Sequence, residues 1–141
     1  METCYIKEDE QLDAVLALCY SILGEHLREV DNYKYADWKD RVSKYSRLLI
    51  YAKEDNVVIA AVLGRPENAD SLVLGFAACH EGFRLRGITS KLIQRIEINA
   101  KEMGFKYITL GANSKAEAFY EKCGYRIINE IHGQKIFQKI L

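Results

Sequence analysis

The segment with the most chemistry in this 141-residue chain is Gly82-Phe83-Arg84-Leu85-Arg86-Gly87-Ile88-Thr89-Ser90. It follows an apolar run and precedes a stretch of helical periodicity, so it reads as a loop entering a helix. A helix N-terminus leaves backbone N–H groups without internal partners, and those amides with the helix dipole favour a bound phosphate. Gly87 lacks a Cβ, which lets a phosphate approach the main chain. Arg84 and Arg86 add positive charge, and Thr89 and Ser90 add hydroxyl donors. The combination suits a diphosphate, although the spacing matches neither GxxxxGK nor GxGxxG. Further on, Tyr120 stands with Phe119 and Tyr125 in an aromatic group, and a phenol holds its proton at neutral pH. By composition alone, each segment reads equally as ordinary structure: a loop and an aromatic core.

The elements that position these residues can be read from periodicity. Leu12, Val15, Leu16, Cys19, Ile22, Leu23 and Leu27 place one apolar stripe on a helix over residues 10–27. A more polar helix is expected over 35–46, around Trp38 and Val42. Leu48–Lys53, Asn56–Gly64 and Ser71–Cys79 read as three consecutive antiparallel strands, with a hairpin loop in the GRPENAD segment around Pro66. Ile88, Leu92, Ile96, Ala100 and Met103 recur at helical spacing, with Gly104 as the stop. A short strand at Tyr107–Leu110 follows. Ser114-Lys115-Ala116-Glu117 has the form of a capping box opening a short helix. Tyr125–Ile131 and Lys135–Leu141 read as closing strands around His132-Gly133. The expectation is a single α+β domain over residues 1–141. Its sheet is mixed and mostly antiparallel, with a central strand-helix-strand crossover and helices on both faces.

Composition bounds the function. Hydrophobic residues make up 49% and charged residues 28%, with 20 basic and 20 acidic side chains. A sequence-blind nucleic-acid binder carries a cationic excess, and none exists here. No apolar run approaches the ~20 residues of a membrane span, and no signal peptide is evident. The four cysteines (Cys4, Cys19, Cys79, Cys123) are scattered, without metal-ligand spacing, and read as reduced, mostly buried thiols of a cytoplasmic protein. Charge is uneven: residues 1–80 hold 9 bases and 14 acids, and residues 81–141 hold 11 bases and 6 acids. The C-terminal part therefore suits an anionic ligand.

Taken together, the two motifs resemble the GNAT superfamily of acyl-CoA-dependent N-acyltransferases. The family's phosphate loop reads Gln/Arg-x-x-Gly-x-Gly/Ala, and Arg84-Leu85-Arg86-Gly87-Ile88-Thr89 matches except at Thr89. A β-branched residue there adds bulk beside the phosphate, yet its hydroxyl can donate to it. The family's later motif is matched by Asn113, Ala116, Tyr120, Gly124 and Tyr125, and the element order is similar over almost the whole chain. The resemblance implies a GNAT-like fold and transfer of an acetyl group from acetyl-CoA, with no metal, to the primary amine of a small molecule or peptide. The pantetheine arm would lie between two splayed strands, along Phe76-Ala77-Ala78-Cys79, with Ala77 and Cys79 as contacts. The pyrophosphate would sit on the amides of Leu85, Arg86, Gly87, Ile88, Thr89 and Ser90, beside Arg84. The side-chain amide of Asn113 would face the cofactor. A free strand N–H would bind the oxyanion, and Tyr120 would be the general acid for the leaving thiolate.

The general base is a gap, because Ser71–Cys79 contains no acid. His80 and Glu81 lie just after that strand, close to the phosphate loop. His80 is a candidate base, His26 and His132 are no better supported, and a water chain or capture of the neutral amine stays open. Residues 1–40 hold 10 acids against 4 bases, and this region (His26, Asp31, Tyr33, Tyr35, Asp37, Trp38) would suit a cationic amine. A polyamine, an aminoglycoside, an amino acid and a peptide all stay open as acceptors, as does a monomeric or homodimeric state. The competing reading is an acyl-CoA sensor or a degenerate relative without transferase activity.

Overall fold

The computed structural model, covering residues 1–141, begins with a strand that periodicity did not reveal. β1 (Glu2–Tyr5) is four residues long and pairs antiparallel with β2 (Leu49–Glu54), so its partner is remote in sequence. Helix α1 (Asp9–Leu23) follows, and its apolar stripe buries Leu12, Val15, Leu16, Cys19 and Tyr20. It stops four residues short of the expected end: Gly24 breaks it, and a 3-10 turn at Glu25–Glu29 carries His26 and Leu27. α2 (Tyr35–Tyr45) buries Trp38 and Arg41. The meander is as expected, β2 pairing with β3 (Val57–Pro66) and β3 with β4 (Ser71–Cys79). Pro66 is the last residue of β3, opposite Leu72, so the loop is shorter than GRPENAD.

α3 (Ile88–Glu102) is the crossover to β5 (Tyr107–Ala112), which pairs parallel with β4. α4 (Glu117–Lys122) is preceded by a 3-10 turn, Ser114–Ala116. The cap is not the expected Ser114–Glu117 box. Asn113 precedes the turn, and its side-chain oxygen accepts the Lys115 N–H at 3.0 Å. β6 (Arg126–Ile131) and β7 (Gln134–Ile140) close a seven-stranded sheet in the order β1-β2-β3-β4-β5-β7-β6.

Two cores sandwich the sheet. α1 and α2 cover one face through 13 buried residues that include Trp38, Leu63 and Phe76. α3 and α4 cover the other through 19 that include Leu72, Leu92, Ile96, Tyr120 and Phe137. Each large apolar side chain so buried contributes about 1.5–3 kcal/mol. Asn99, buried on α3, donates to the Tyr5 hydroxyl at 2.9 Å and to the Arg47 carbonyl at 3.0 Å, fastening the crossover helix to β1 and the end of α2. Of the cysteines only Cys19 is fully buried; Cys4, Cys79 and Cys123 are half-buried, because they lie at strand ends and on the surface of α4 rather than on the inner stripe. No helix is long and apolar enough to cross a membrane.

Candidate active site

Two irregularities in β4 open the site. First, its parallel pairing with β5 lasts three residue pairs, Ser71↔Tyr107 to Val73↔Thr109. Beyond that the strands diverge, and alternate backbone groups of Leu74–Cys79 have no β5 partner. Second, the register with β3 jumps from Leu63↔Phe76 to Gly64↔Leu74, making Gly75 the extra residue of a bulge. The bulge reverses which face each side chain takes. Leu72 and Leu74 belong to the α3 core, whereas Phe76 and Ala78 belong to the α1 core. Gly75 is required by close approach: a Cβ there would come within 3.1–3.4 Å of the Tyr33 ring.

The divergence leaves a cavity of about 540 Å³ through the sheet. Ala77, Asn113 and Tyr120 line it, with Gly75 and Phe76 of β4 and Leu110 to Ala112 of β5. Tyr120 packs edge-on against Phe119 (ring centroids 5.1 Å) and Tyr125 (5.9 Å) and is tilted against Phe137 (5.6 Å). Burial, and secondarily nearby Cys123, push its phenol up to about 12, so it holds its proton throughout the neutral range. The Tyr125 hydroxyl is committed elsewhere, donating to Glu97 at 2.8 Å.

A second cavity of about 300 Å³ adjoins the same end of β4. Cys79, Arg84, Leu85, Arg86, Gly87, Ile88, Thr89 and Ser90 line it, with Phe83 and Phe119. The chain here is shaped to present its amides. Arg84 N–H bonds back to Glu81 and Lys91 N–H to Gly87, but the six amides from Leu85 to Ser90 have no partner. Gly87, the residue before α3, is left-handed at φ 72°, and a Cβ on it would meet nothing within 4 Å. Leu85 is also left-handed, at φ 66°, with its side chain fully in solvent. A non-glycine residue held there stores about 1–2 kcal/mol, strain that accumulates at functional loops. Neither Arg84 nor Arg86 is ion-paired; the Arg86 guanidinium lies 5.0 Å from the Phe83 ring centroid. Unpartnered donors, two free cations and open space at Gly87 fit a diphosphate.

The residues expected to hold the cofactor or give the proton thus line two cavities, one on either side of the β4 end: Ala77, Asn113 and Tyr120 on one, Cys79 and Arg84 to Ser90 on the other. The wall opposite β4 is made by His26 and Leu27 from the 3-10 turn, Tyr33 from the segment after it, and Gln134 from β7. Nothing in the sequence signals Gln134. His26 and Tyr33 belong to the region expected to suit a cationic amine, and nothing local to them signals the gap. The other two histidines lie elsewhere. His80 Nδ1 accepts the Gly82 N–H at 3.1 Å inside the loop, and His132 is in the β6–β7 turn. Asp31, Tyr35 and Asp37 do not line the gap, and Trp38 is fully buried. The acids Asp13 and Glu29 line a separate groove of about 570 Å³ between α1 and the start of α2.

Solved structures share the fold over nearly the full chain. An aminoglycoside 6'-N-acetyltransferase complexed with coenzyme A is 15% identical, covers 99% of this chain and 97% of its own, and has a TM-score of 0.80. PaiA N-acetyltransferase from Thermoplasma acidophilum, in complex with coenzyme A, is 14% identical over 100% of both chains, with a TM-score of 0.78. A GNAT family acetyltransferase from Elizabethkingia anophelis with acetyl-CoA bound is 19% identical, covering 86% and 90%, with a TM-score of 0.63. No curated protein matches the sequence. The profile of the acetyltransferase (GNAT) family matches residues 10–125, from the first turn of α1 to the Gly-Tyr pair after α4, and the chain therefore belongs to that family of N-acetyltransferases.

Proposed function

We propose that this protein transfers an acetyl group from acetyl-CoA to a primary amine, by direct attack on the thioester. The observation that carries the proposal is the run of six unpartnered amides at Leu85–Ser90, set beside a strand gap with Tyr120 on its wall. These amides, with Arg84 and Arg86, hold the diphosphate, and the free edge of β4 from Ala77 to Cys79 holds the pantetheine arm. The bound thioester supplies the activated acetyl group. Asn113 keeps its oxygen on the Lys115 N–H, which leaves its NH₂ to donate into the gap.

The rest of the chemistry belongs to this chain's own groups. An N–H on the freed edge of β4 stabilises the negative charge that develops on the carbonyl oxygen. Tyr120, protonated by virtue of its burial, donates a hydrogen bond to the departing sulphur, its proton crosses as charge accumulates there, and solvent returns a proton to the phenol before the next turnover. The ammonium proton of the acceptor needs a sink. His26 is the residue on the cavity wall whose side chain type exchanges protons near neutrality, and it takes that role from the acceptor side.

The test is a thermal melt with acetyl-CoA, followed by thiol release against a panel of amines. Stabilisation by acetyl-CoA with amine-dependent thiol release supports the transferase. Stabilisation with no release from any amine would leave a cofactor-binding protein.

A further inference from the structure

The cavity wall carries no Asp, Glu, Lys or Arg. Two positive charges stand behind its aromatic side, whereas Glu117 and Lys135, beside the lining residues Ala116 and Gln134, are paired with each other. Tyr33 stacks on Trp38, ring centroids 5.8 Å apart and planes 13° apart. The Arg41 guanidinium lies 4.5 Å from the Trp38 centroid, and the Arg65 guanidinium 5.7 Å from that of Tyr33. Arg41 is only 9% exposed, and neither arginine is ion-paired. Burial, then the like charge of Arg65, lowers the Arg41 pKa, and Asp37 and Asp40 on the same helix only partly offset this. Two buried guanidinium donors have no acceptor, Arg41 Nη1 and Arg65 Nε, while the Trp38 indole N–H faces the Tyr20 hydroxyl. Two guanidiniums packed together with unspent donors are costly unless an anion joins them. Arg65 stands opposite Val73 in the β3–β4 ladder, and Val73 lines the cavity.

Resting on the transferase reading above, we infer that the acceptor is an amine that also bears a carboxylate, and that Arg65, backed by Arg41, receives it. The Tyr33 ring packs on Gly75 of the cavity wall, and the Arg65 guanidinium lies 5.7 Å from the centroid of that ring, so the carboxylate is separated from the reacting amine by several bonds. An ω-amino acid or a dipeptide has that reach, and glycine does not. The same positive charge repels a polyamine, the reverse of what the acid excess of residues 1–40 suggests.

Three acceptors of equal length separate the possibilities: 6-aminohexanoate, 6-aminohexanamide and 1,6-diaminohexane. By thiol release, kcat/KM for the carboxylate should exceed that for the amide by about tenfold, through KM, with the diamine lowest. Arg65→Gln should bring the carboxylate-to-amide ratio close to one, and Arg65→Lys should restore part of it. An amide or diamine that equals the carboxylate overturns the inference, as does an equal loss on both acceptors in Arg65→Gln. Calorimetry with 6-acetamidohexanoate and its amide, with and without coenzyme A, gives the same comparison free of turnover. Failure of acetyl-CoA to bind would remove the transferase reading, while the calorimetric preference, present or absent, still decides this one.

Discussion

Gly87 offers the sharpest test, because the structure separates what a substitution there does to folding from what it does to binding. Gly87 sits at φ 72°, and an added Cβ meets nothing within 4 Å. Gly87→Ala therefore costs only the left-handed backbone penalty, about 1–2 kcal/mol. For a domain of this size that is a fall in Tm of about 3–6 °C. Gly87→Glu pays the same backbone cost, and its side chain also projects into open space. The difference between the two variants lies in the ligand. A hydrogen bond to a charged group contributes about 1.5–3 kcal/mol. A carboxylate beside the amides of Leu85–Ser90 competes for at least two of them and repels the diphosphate. The loss is then about 3 kcal/mol or more, a Kd for acetyl-CoA raised at least 100-fold. Binding is measured by calorimetry and folding by thermal melt on the same samples. If Gly87→Glu melts with Gly87→Ala and still binds acetyl-CoA within threefold of wild type, the diphosphate is not on this loop.

Three further outcomes are expected. Tyr120→Phe keeps the ring contacts with Phe119, Tyr125 and Phe137 while removing the donor, so kcat should fall at least tenfold with acetyl-CoA affinity unchanged; undiminished turnover in steady-state assays would remove Tyr120 from the reaction. Burial holds Tyr120 protonated up to about pH 12, against an ordinary value of 10.0, so the folded state binds that proton more tightly than the unfolded one. Its contribution to stability, about 2–3 kcal/mol, is full below pH 10 and disappears as pH rises towards 12; denaturant melts should show a steeper alkaline loss in wild type than in Tyr120→Phe. His26→Gln should lower kcat/KM about tenfold at pH 7 and recover as pH rises and the free amine deprotonates itself; a pH-independent loss would make His26 a packing residue only.

The sequence by itself determined a great deal of this protein. The 3.6-residue stripes of α1 and α3 and the runs of β2, β3 and β4 were legible because each buries one continuous face, and burial is written locally as periodicity. The loop proposed to hold the diphosphate was legible for the same reason: Arg84, Gly87 and Ser90 are neighbours in the chain, and a helix N-terminus needs no distant partner to expose its amides. What depended on remote contact was not. β1 is four residues with no alternation to announce it, and only pairing with Ile50, Tyr51, Ala52 and Lys53 makes it a strand. Asn113 took the cap from Ser114 because it ends β5, whose position the sheet fixes. The tertiary structure alone decided the acceptor side. A bulge at Gly75 and the loss of β5 after Val73 open the gap, and the fold then carries His26, Tyr33 and Gln134 to its wall from three separate elements. Charge counted along the chain pointed to a cationic acceptor. Charge placed in space supports the opposite proposal: most of those acids face solvent, while Arg41 and Arg65 stand behind Tyr33 and Trp38 without an ion-pair partner, Asp37 and Asp40 only partly offsetting Arg41.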